Sequence, residues 1–529
     1  MTQSPPEQPS RYDRVLYPSY TRIQTHPDRS ATIATLLGMT PAPVENCRVL
    51  EIGCGNGSNL GPIAYSLPGS HCVGIDLATI PITHARQMAE ELQLRNAEFR
   101  CCDIMAAPAD LGTFDYIIVH GVYAWIPKEV RDGLMALCRR HLAPNGVAFI
   151  SYNANPGNYV NQMVRSMLLY HVRGFDDPQQ QVAQGIALVK LIADSHEQPD
   201  AYRQLVKEEL ERFLRVSPSY IFHDALADIN DPSYFHEFVA HAAQHQLQYL
   251  GEADFHEMLD AQFKPEIAKA LDQVAADRIE REQYLDFLKC RRFRQTLLCH
   301  GEVRLDLSLK PELASRFCVA SSARSAAAKP DIFSLTPESF QGARGGAIQT
   351  SSPVGKAAFV LLAGLWPQPL RFDDLLARVQ QQLAGHPVVE RGAPVEEALE
   401  LGKTLLKSYA AGLVDLHCHL PSYTSTLSDR PVASPLARWQ ASHGNFVTTL
   451  YHNTMFLEDA MARQLLPLLD GTRDRGMLVE ELAPVATTQG WGKVPTGQPV
   501  TDPRQLKVFL AAELESNLLK LTRAGLLMG

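Results

Sequence analysis

The stretch from Val49 to Gly57 reads V-L-E-I-G-C-G-N-G and constrains the fold more than any other part of the chain. An apolar run typical of a strand leads into a turn with glycine at positions 53, 55 and 57. Glycine lets a backbone turn tightly and come close to a ligand. The spacing differs from the G-x-G-x-x-G of dinucleotide sites, where a pyrophosphate sits on a helix N-terminus. Glu51 would repel a pyrophosphate, but its carboxylate could pair with an amino-acid ammonium.

Two more acidic residues follow the turn, each at the end of a predicted strand. The run Cys72 to Asp76 ends about 20 residues beyond the glycines, where a carboxylate can accept both ribose hydroxyls. The next apolar run begins at Ala97 and ends at Asp103. Any one of these acids could be a helix cap. In this order, with Glu51, they favour S-adenosylmethionine over NAD.

Strand-like and helix-like segments alternate through the first part of the chain. Helices are predicted over Pro81 to Leu94 and Lys128 to His141, and strands over Phe114 to His120 and Val147 to Tyr152. This order predicts an α/β fold with a parallel, doubly wound, Rossmann-like sheet and the ligand at the C-terminal edge of its strands.

Two further strands are expected at Leu247 to Glu252 and Phe293 to Cys299, which makes a seven-stranded sheet. The residues between strands five and six read as helices, for example Gln162 to His171 and Ala201 to Leu214. We expect them to be an insertion that caps the substrate site. The alternative is a separate helical domain after a truncated sheet.

The C-terminal half contains a repeated pattern. Leu405 to Leu413 matches Leu518 to Leu526, each a long helix that ends in Ala-Gly-Leu. Two mostly helical, winged-helix-like modules are predicted, with a hairpin-like segment over Leu413 to Thr426.

The whole chain is expected to divide into six parts. These are 1–157, a cofactor-binding core after a disordered tail at 1–10; 158–230, the helical insertion or cap; 231–309, a segment that completes the core sheet; 310–355, an Ala-, Ser-, Pro- and Gly-rich linker; and 356–426 and 427–529, the two modules.

Charge and composition limit the classes of partner that the protein is expected to bind. The net charge is −9, and from Thr336 onward 17 Lys+Arg stand against 18 Asp+Glu, so no concentrated positive face for nucleic acid is expected. The modules are more typical of protein interaction or dimerisation, which allows a homodimer. No apolar run is long enough for a membrane span, and no signal peptide is expected. The ten cysteines contain no C-x-x-C, which indicates reduced thiols. Together these features predict a cytoplasmic protein.

Several residues are candidates for chemistry because they lie near predicted strand ends. Tyr123, His120, Tyr152 and His26 are the expected catalytic residues, with ordinary core packing as the alternative. Tyr12, Tyr17, Trp125 and Asn153 are the expected substrate-binding residues, since aromatic rings can enclose a cationic amine. No metal site is expected, because His241 and His245, one helical turn apart, have no Cys or acidic ligand nearby in the sequence.

The chain resembles bacterial class I methyltransferases that carry a methyltransferase regulatory domain, and is similar to rickettsial lysine methyltransferases that modify an outer-membrane protein. The matching segments are Tyr12-Asp13, Gln24 to Pro27, Val49 to Gly57, Phe114 to Pro127, Tyr152 to Gly157, Tyr234 to Phe238, Tyr249 to Ala253, Arg281 to Phe287, Arg292 to Leu298, Arg430 to Arg438 and Leu469 to Arg475.

The resemblance implies S-adenosylmethionine-dependent methyl transfer, with lysine side chains of a protein, such as an outer-membrane or surface protein, as the leading acceptors. In this family an acid at the place of Asp103 binds the adenine amino group. A small-molecule methyltransferase and a non-catalytic, cofactor-sensing interaction protein are the alternatives. The expected cofactor-binding residues are Glu51, Gly53, Cys54, Gly55, Gly57, Asn59, Asp76, Leu77, Asp103, Ile104, His120 and Gly121.

Overall fold

A seven-stranded sheet forms the centre of the molecule. The computed structural model describes residues 11–195, 200–260, 263–343, 345–386, 393–420, 424, 426–491 and 502–528, so the predicted disordered tail lies outside the described residues. The strands are β1 (Arg48–Ile52), β2 (His71–Asp76), β3 (Ala97–Cys101), β4 (Phe114–Val119), β5 (Leu142–Asn153), β6 (Leu247–Glu252) and β7 (Phe293–His300).

Their order in the sheet is β3-β2-β1-β4-β5-β7-β6. β1 to β5 pair in parallel, and β7 is antiparallel to both of its neighbours. The predicted fold class, a seven-stranded Rossmann-like sheet, is confirmed. The carboxyl ends of the parallel strands meet at one edge, and this edge carries the glycine-rich turn.

Helices cover the sheet and continue beyond it. In the first 300 residues they are α1 (Arg11–Arg14), α2 (Pro27–Leu36), α3 (Leu60–Ser66), α4 (Thr79–Glu91), α5 (Lys128–His141), α6 (Asn158–Val172), α7 (Pro178–Ala193), α8 (Ala201–Leu214), α9 (Pro218–Asp224), α10 (Phe235–Gln244), α11 (Pro265–Val274) and α12 (Arg278–Lys289). Short 3₁₀ turns lie at Ile23–Thr25, Val44–Asn46, Ile104–Ala106, Ala109–Leu111, Tyr123–Trp125, Phe255–Met258, Pro311–Arg316 and Leu466–Leu468.

Four of these helices, α6 to α9, lie in the chain between β5 and β6 and share an apolar core of their own. Val164 and Leu168 of α6 pack in that core with Val206 and Phe213 of α8. Local contacts set the starts of three of these helices. Asp177, Asp200 and Ser217 are the N-caps of α7, α8 and α9, and each side chain accepts a hydrogen bond from a backbone N–H of the first turn. The insertion is therefore a packed helical unit that returns the chain to the same sheet.

A buried charged cluster joins β7 to α12 and β6. The Arg294 side chain is fully buried and contacts three carboxylates, those of Glu252 at 2.6 Å, Asp286 at 2.8 Å and Glu282 at 3.1 Å. A buried charge of this kind needs such partners, because an unpaired ion in the interior costs several kcal/mol. The cluster holds β6 and β7, the two strands that complete the sheet, against each other and against α12.

The segment 310–355, predicted to be a linker, is folded. It contains β8 (Cys318–Ala320), β9 (Arg324–Ser325), β10 (Glu338–Gln341) and β11 (Ala347–Thr350). Phe317, Val319 and Phe340 are buried with the helices that follow. The prediction was wrong because small residues suit closely packed short strands as well as loops, and three well-placed apolar side chains are enough to anchor them.

The first C-terminal module uses β8 as part of its sheet. It comprises α13 (Pro353–Leu365), β12 (Leu370–Arg371), α14 (Phe372–Leu383), α15 (Pro394–Ala410) and β13 (Asp415–His417), and β8 pairs with both β12 and β13. The module thus begins before residue 356. Part of the predicted hairpin at Leu413 to Thr426, residues 421–423 and 425, lies outside the described residues.

The second module repeats this plan. It comprises α16 (Pro435–His443), β14 (Phe446–Thr448), β15 (Thr454–Phe456), α17 (Ala460–Leu465), α18 (Arg475–Gln489) and α19 (Pro503–Arg523). Single bridges join Val432 to Asp470 and Ala433 to Leu527, in the places that β8, β12 and β13 take in the first module. No helix in the described ranges is long and apolar enough to cross a membrane.

Candidate functional site

The glycine-rich turn follows β1 and holds its shape through positive backbone angles. Gly53 and Gly55 have φ of +75° and +52°, which favour glycine. The N–H groups of Gly53 and Cys54 donate to the carbonyl oxygen of Ile75 at 2.8 and 3.1 Å. A Cβ on Gly53 would lie 2.5 Å from Val122 Cγ2, so only glycine fits between the two loops.

A cavity of about 810 Å³ opens above this turn. It lies between the carboxyl ends of the strands, the N-terminal segment around Tyr12 to Gln24, and helices α8 and α9 of the insertion. Fifteen residues predicted for the site line it: Tyr12, Tyr17, Glu51, Gly53, Cys54, Gly55, Asn59, Asp76, Leu77, Asp103, Ile104, His120, Gly121, Trp125 and Asn153. Ligand pockets in proteins commonly have about 300–1,000 Å³, so the cavity has room for a nucleoside ligand and part of a second molecule.

Glu51 carries an unsatisfied carboxylate oxygen in the cavity wall. Its Oε1 accepts a bond from Asn59 Nδ2 at 2.7 Å, while Oε2 is buried and has no hydrogen-bond partner. Burial raises the pKa of Glu51 to about 8, and the Asn59 amide opposes this shift. A buried carboxyl oxygen without a hydrogen-bond partner is costly, so the site suits a ligand that brings a donor and favours the carboxylate form. The ammonium of S-adenosylmethionine is such a donor.

Asp76 ends β2 and is held by the backbone on both oxygens. Oδ2 accepts from the Gly55 N–H and Oδ1 from the Ala78 N–H, both at 2.8 Å. Burial raises the pKa of this carboxyl, and the two backbone bonds oppose the shift. Each oxygen keeps a further lone pair, and a ribose presents two hydroxyl donors. Asp103 also lines the cavity, where its Oδ1 accepts from the Met105 N–H at 2.9 Å.

His120 lies at the end of β4 and lines the cavity as a neutral imidazole. Its Nδ1 is 3.0 Å from Ser151 Oγ, which accepts a bond from the Gly121 N–H at 2.9 Å. Burial lowers the pKa of His120 to about 3, so the ring stays uncharged at neutral pH. A neutral ring can orient or accept a hydrogen bond without repelling a cationic ligand.

The structure places two predicted catalytic residues, Tyr123 and Tyr152, in the core rather than at the cavity. The Tyr152 ring stacks on Phe238 of α10 at 4.1 Å, and the Tyr123 hydroxyl contacts His241 Nδ1 at 2.9 Å. Successive side chains of a strand point to opposite faces, so Tyr152 turns away from the face that Asn153 shares with the cavity. Neither ring lines the cavity, and the catalytic role of the two tyrosines stays a prediction.

His26 and Gly57 also lie away from the cavity. His26 caps α2, where Nδ1 accepts the Asp28 N–H at 3.2 Å, and burial lowers its pKa to about 4. Its ring packs 5.2 Å from His452 of the second module, so it joins the core to that module. A Cβ on Gly57 would lie 3.0 Å from Ala85, Met88 and Phe99, so this glycine allows close packing below the turn.

The N-terminal segment bridges the cofactor-side helix α4 and the insertion. Asp13 Oδ1 accepts the Ile80 N–H at 3.0 Å, and the Tyr12 ring stacks on His223 of α9 at 4.7 Å. Burial raises the pKa of Tyr12 to about 12, and the charges of Asp224 and Asp76 add to the shift. Tyr12 lines the same cavity as both carboxylates.

Sequence reasoning missed the polar group that α8 and α9 contribute. Asp224 lines the cavity with Tyr17, Tyr220 and Arg212. Burial raises the pKa of Asp224 to about 6, while hydrogen bonds from Tyr220 and Tyr17 and the charge of Arg212 hold it down. The sequence offers one weak signal for it, an acid after aromatic residues in Pro218 to Asp224. Asp224 was missed because no local pattern shows which side of that helix faces the cavity.

Three family models match the chain in sequence. A methyltransferase domain matches residues 49–146, a predicted methyltransferase regulatory domain matches 217–300, and a PKMT C-terminal winged helix domain matches 429–526. An uncharacterized protein of Rickettsia prowazekii is 32% identical over 492 residues, which cover 89% of this chain and 85% of that protein.

Two solved structures agree over almost the whole length. The structure of PKMT2 from Rickettsia typhi superposes with a TM-score of 0.85 at 26% identity and covers 97% of this chain and 100% of that one. The same protein in complex with AdoHcy gives a TM-score of 0.86 at 27% identity, with the same shares covered.

Proposed function

Because the chain belongs to the family of S-adenosylmethionine-dependent class I methyltransferases with a methyltransferase regulatory domain and a PKMT winged helix domain, we propose that it methylates lysine side chains of a protein. The observation that carries this proposal is the carboxylate of Asp224, with two tyrosines, in the same cavity as Glu51 and Asp76. The name of the Rickettsia typhi relative, PKMT2, supports it.

The cofactor end of the cavity is formed by the strand edge. Glu51 would hold the ammonium, Asp76 the ribose hydroxyls and Asp103 the adenine amino group. S-adenosylmethionine, when bound, would supply a methyl carbon on a sulfonium, where an in-line nucleophile forms a bond to the carbon and the neutral thioether sulfur leaves. The chain's task is to position that nucleophile and to keep water away.

The acceptor end of the cavity has the chemistry that a lysine side chain requires. A lysine ammonium must lose a proton before its nitrogen can attack. Asp224 can attract the ammonium and accept that proton, because its pKa of about 6 keeps it ionised at neutral pH and less acidic than an exposed aspartate. The rings of Tyr17, Tyr220 and Trp125 offer apolar and cation–π contacts to the methylene chain and the amine.

Transfer of labelled methyl groups tests the proposal. The protein is incubated with methyl-labelled S-adenosylmethionine and a bacterial lysate, and the label is counted in the protein fraction and in the small-molecule fraction. Label in protein that appears as methyllysine after hydrolysis supports the proposal. The Asp76→Ala variant is the control, since it removes the proposed ribose contact and should incorporate no label. Label confined to other fractions, or none, contradicts the proposal.

A second candidate is a small-molecule methyltransferase. The observation that favours it is that α8 and α9 line the cavity, as expected of a cap over a small acceptor. The same experiment separates the two, because a small acceptor leaves the label in the low-molecular-weight fraction. Absence of label from both fractions would favour a non-catalytic cofactor sensor.

An outer-membrane or surface protein is the acceptor that we propose from the family resemblance. The homodimer and the cytoplasmic location stay predictions.

A further inference from the structure

Two histidines at the end of α10 and an aspartate of α5 meet on the outer face of the core, outside the cavity. His241 lies in the last turn of α10, and His245 is the residue that caps its C-terminus. Asp132 Oδ1 is 2.9 Å from His245 Nε2 and 3.6 Å from His241 Nε2. In the sequence these histidines had no acidic ligand nearby, and the fold supplies one from more than a hundred residues away.

The arrangement has the dimensions of a metal site. One ligand atom from each of the three residues lies within 4.8 Å of the other two. Zinc bonds of about 2.0–2.1 Å in a tetrahedron place ligand atoms about 3.3 Å apart. Both measured separations are within a few tenths of an ångström of that value. The Asp132 side chain is 65% exposed, so solvent reaches the cluster and can complete the coordination.

The surroundings of His241 favour its Nε2 as a ligand. Its Nδ1 lies 2.9 Å from the Tyr123 hydroxyl, so with Nε2 on a metal the Nδ1–H can donate to the tyrosine oxygen. Metal-binding histidines commonly use the second ring nitrogen in this way. A neighbouring cation, Arg131, is paired with Asp231 at 3.0 Å.

We propose that Asp132, His241 and His245 bind a divalent transition-metal ion of the zinc type. The ion joins α5 of the sheet to α10 of the regulatory-domain segment. Neither the three ligands nor Tyr123 lines the cavity, so the ion braces the fold and takes no part in methyl transfer. The proposal is independent of the methyl acceptor.

Calorimetric titration with Zn²⁺ tests this site, with Co²⁺ as a spectroscopic substitute. The full-length protein, without an affinity tag, is stripped with a chelator and titrated at pH 7.5. We expect one equivalent to bind, with visible Co²⁺ ligand-field bands, and the melting temperature to rise as the ion binds the folded state. His245→Ala and Asp132→Asn should weaken binding at least about 100-fold, and Tyr123→Phe about tenfold, since outer contacts typically contribute 10–100-fold.

His256→Ala is the control, because it removes a histidine outside the cluster that also lies 3.6 Å from a carboxylate, that of Glu257. Its Zn²⁺ affinity should equal that of the unmodified protein. Asp132 is exposed, so Asp132→Asn decides the matter even where His245→Ala fails to fold. The proposal is overturned if the unmodified protein shows no saturable binding, if Asp132→Asn binds as tightly as it does, or if His256→Ala weakens binding equally.

Discussion

Replacing Glu51 with glutamine tests how the cavity recognises the ammonium of its cofactor. Burial raises the pKa of Glu51 to about 8 in the free protein, so the group is mostly protonated at pH 7. An ammonium ligand favours the carboxylate form and returns the pKa toward its usual value of 4.5. Binding therefore has to release a proton from Glu51.

The size of this effect follows from the two pKa values. At pH 7 about 0.9 proton should leave per cofactor bound, because about nine tenths of the free protein carries it. Affinity should rise with pH as the free carboxyl ionises, by about 20-fold between pH 6 and pH 7.5, and the gain should end above pH 8. Cofactor affinity rises and does not fall with pH, because the free protein binds more protons than the complex.

Isothermal titration calorimetry in two buffers of different ionisation enthalpy counts the released protons directly. Glu51→Gln should release none, show little change of affinity with pH, and bind about 30-fold more weakly at pH 7.5, for a lost charge-assisted bond of about 2 kcal/mol. Glu312→Gln, at an exposed position outside the cavity, is the control and should behave as the unmodified protein. Pairing of Glu51 with the ammonium is refuted if the unmodified protein releases no proton, or if Glu51→Gln releases as many.

Three other variants test the remaining assignments. Asp76→Ala should weaken cofactor binding at least about 100-fold in calorimetry, because it removes the proposed ribose acceptor and the anchor of the Gly55 N–H; unchanged affinity would contradict this. Tyr152→Phe should keep its methyl-transfer rate within about twofold, since within the described residues its hydroxyl makes one hydrogen bond, accepted from Thr296 Oγ1 at 3.4 Å, and a tenfold loss in the rate assay would support a catalytic role. Arg294→Met should lower the free energy of unfolding in urea by about 3–5 kcal/mol, because it leaves three buried carboxylates without their cation, and a loss below about 1 kcal/mol would show that they are otherwise compensated.

Local patterns in the sequence were sufficient for the sheet and for the wall of the cavity that the strand ends form. Strand six, predicted over Leu247 to Glu252, forms over those residues, because its apolar side chains are buried whichever helices cover it. The glycines at 53 and 55 and the carboxylates of Glu51 and Asp76 follow from one strand–turn–helix–strand unit, β1 to β2. Their relative positions are set within about 25 residues, so their spacing in the chain is informative.

The acceptor end depends on contacts between distant segments, which sequence spacing does not encode. Asp224 reaches the cavity only because the insertion folds back over the strand edge and meets Tyr17 of the N-terminal segment. Tyr152 was misplaced because the side of a buried strand that a tyrosine takes depends on what covers each face, and Phe238 of α10 covers this one. The segment 310–355 was predicted to be a linker because of its composition, and its buried side chains, such as Phe317, Val319 and Phe340, were not considered.

The rate of methyl transfer to protein lysine by Asp224→Asn tests the central claim, that one cavity holds the cofactor and the acceptor amine. The rate is measured at saturating S-adenosylmethionine, beside Asp228→Asn, an exposed aspartate four residues further along. We predict that Asp224→Asn lowers kcat/KM for the acceptor at least about 100-fold, with the cofactor Kd unchanged within about twofold, and that Asp228→Asn changes neither. An Asp224→Asn variant that methylates lysine at the unmodified rate would contradict the account.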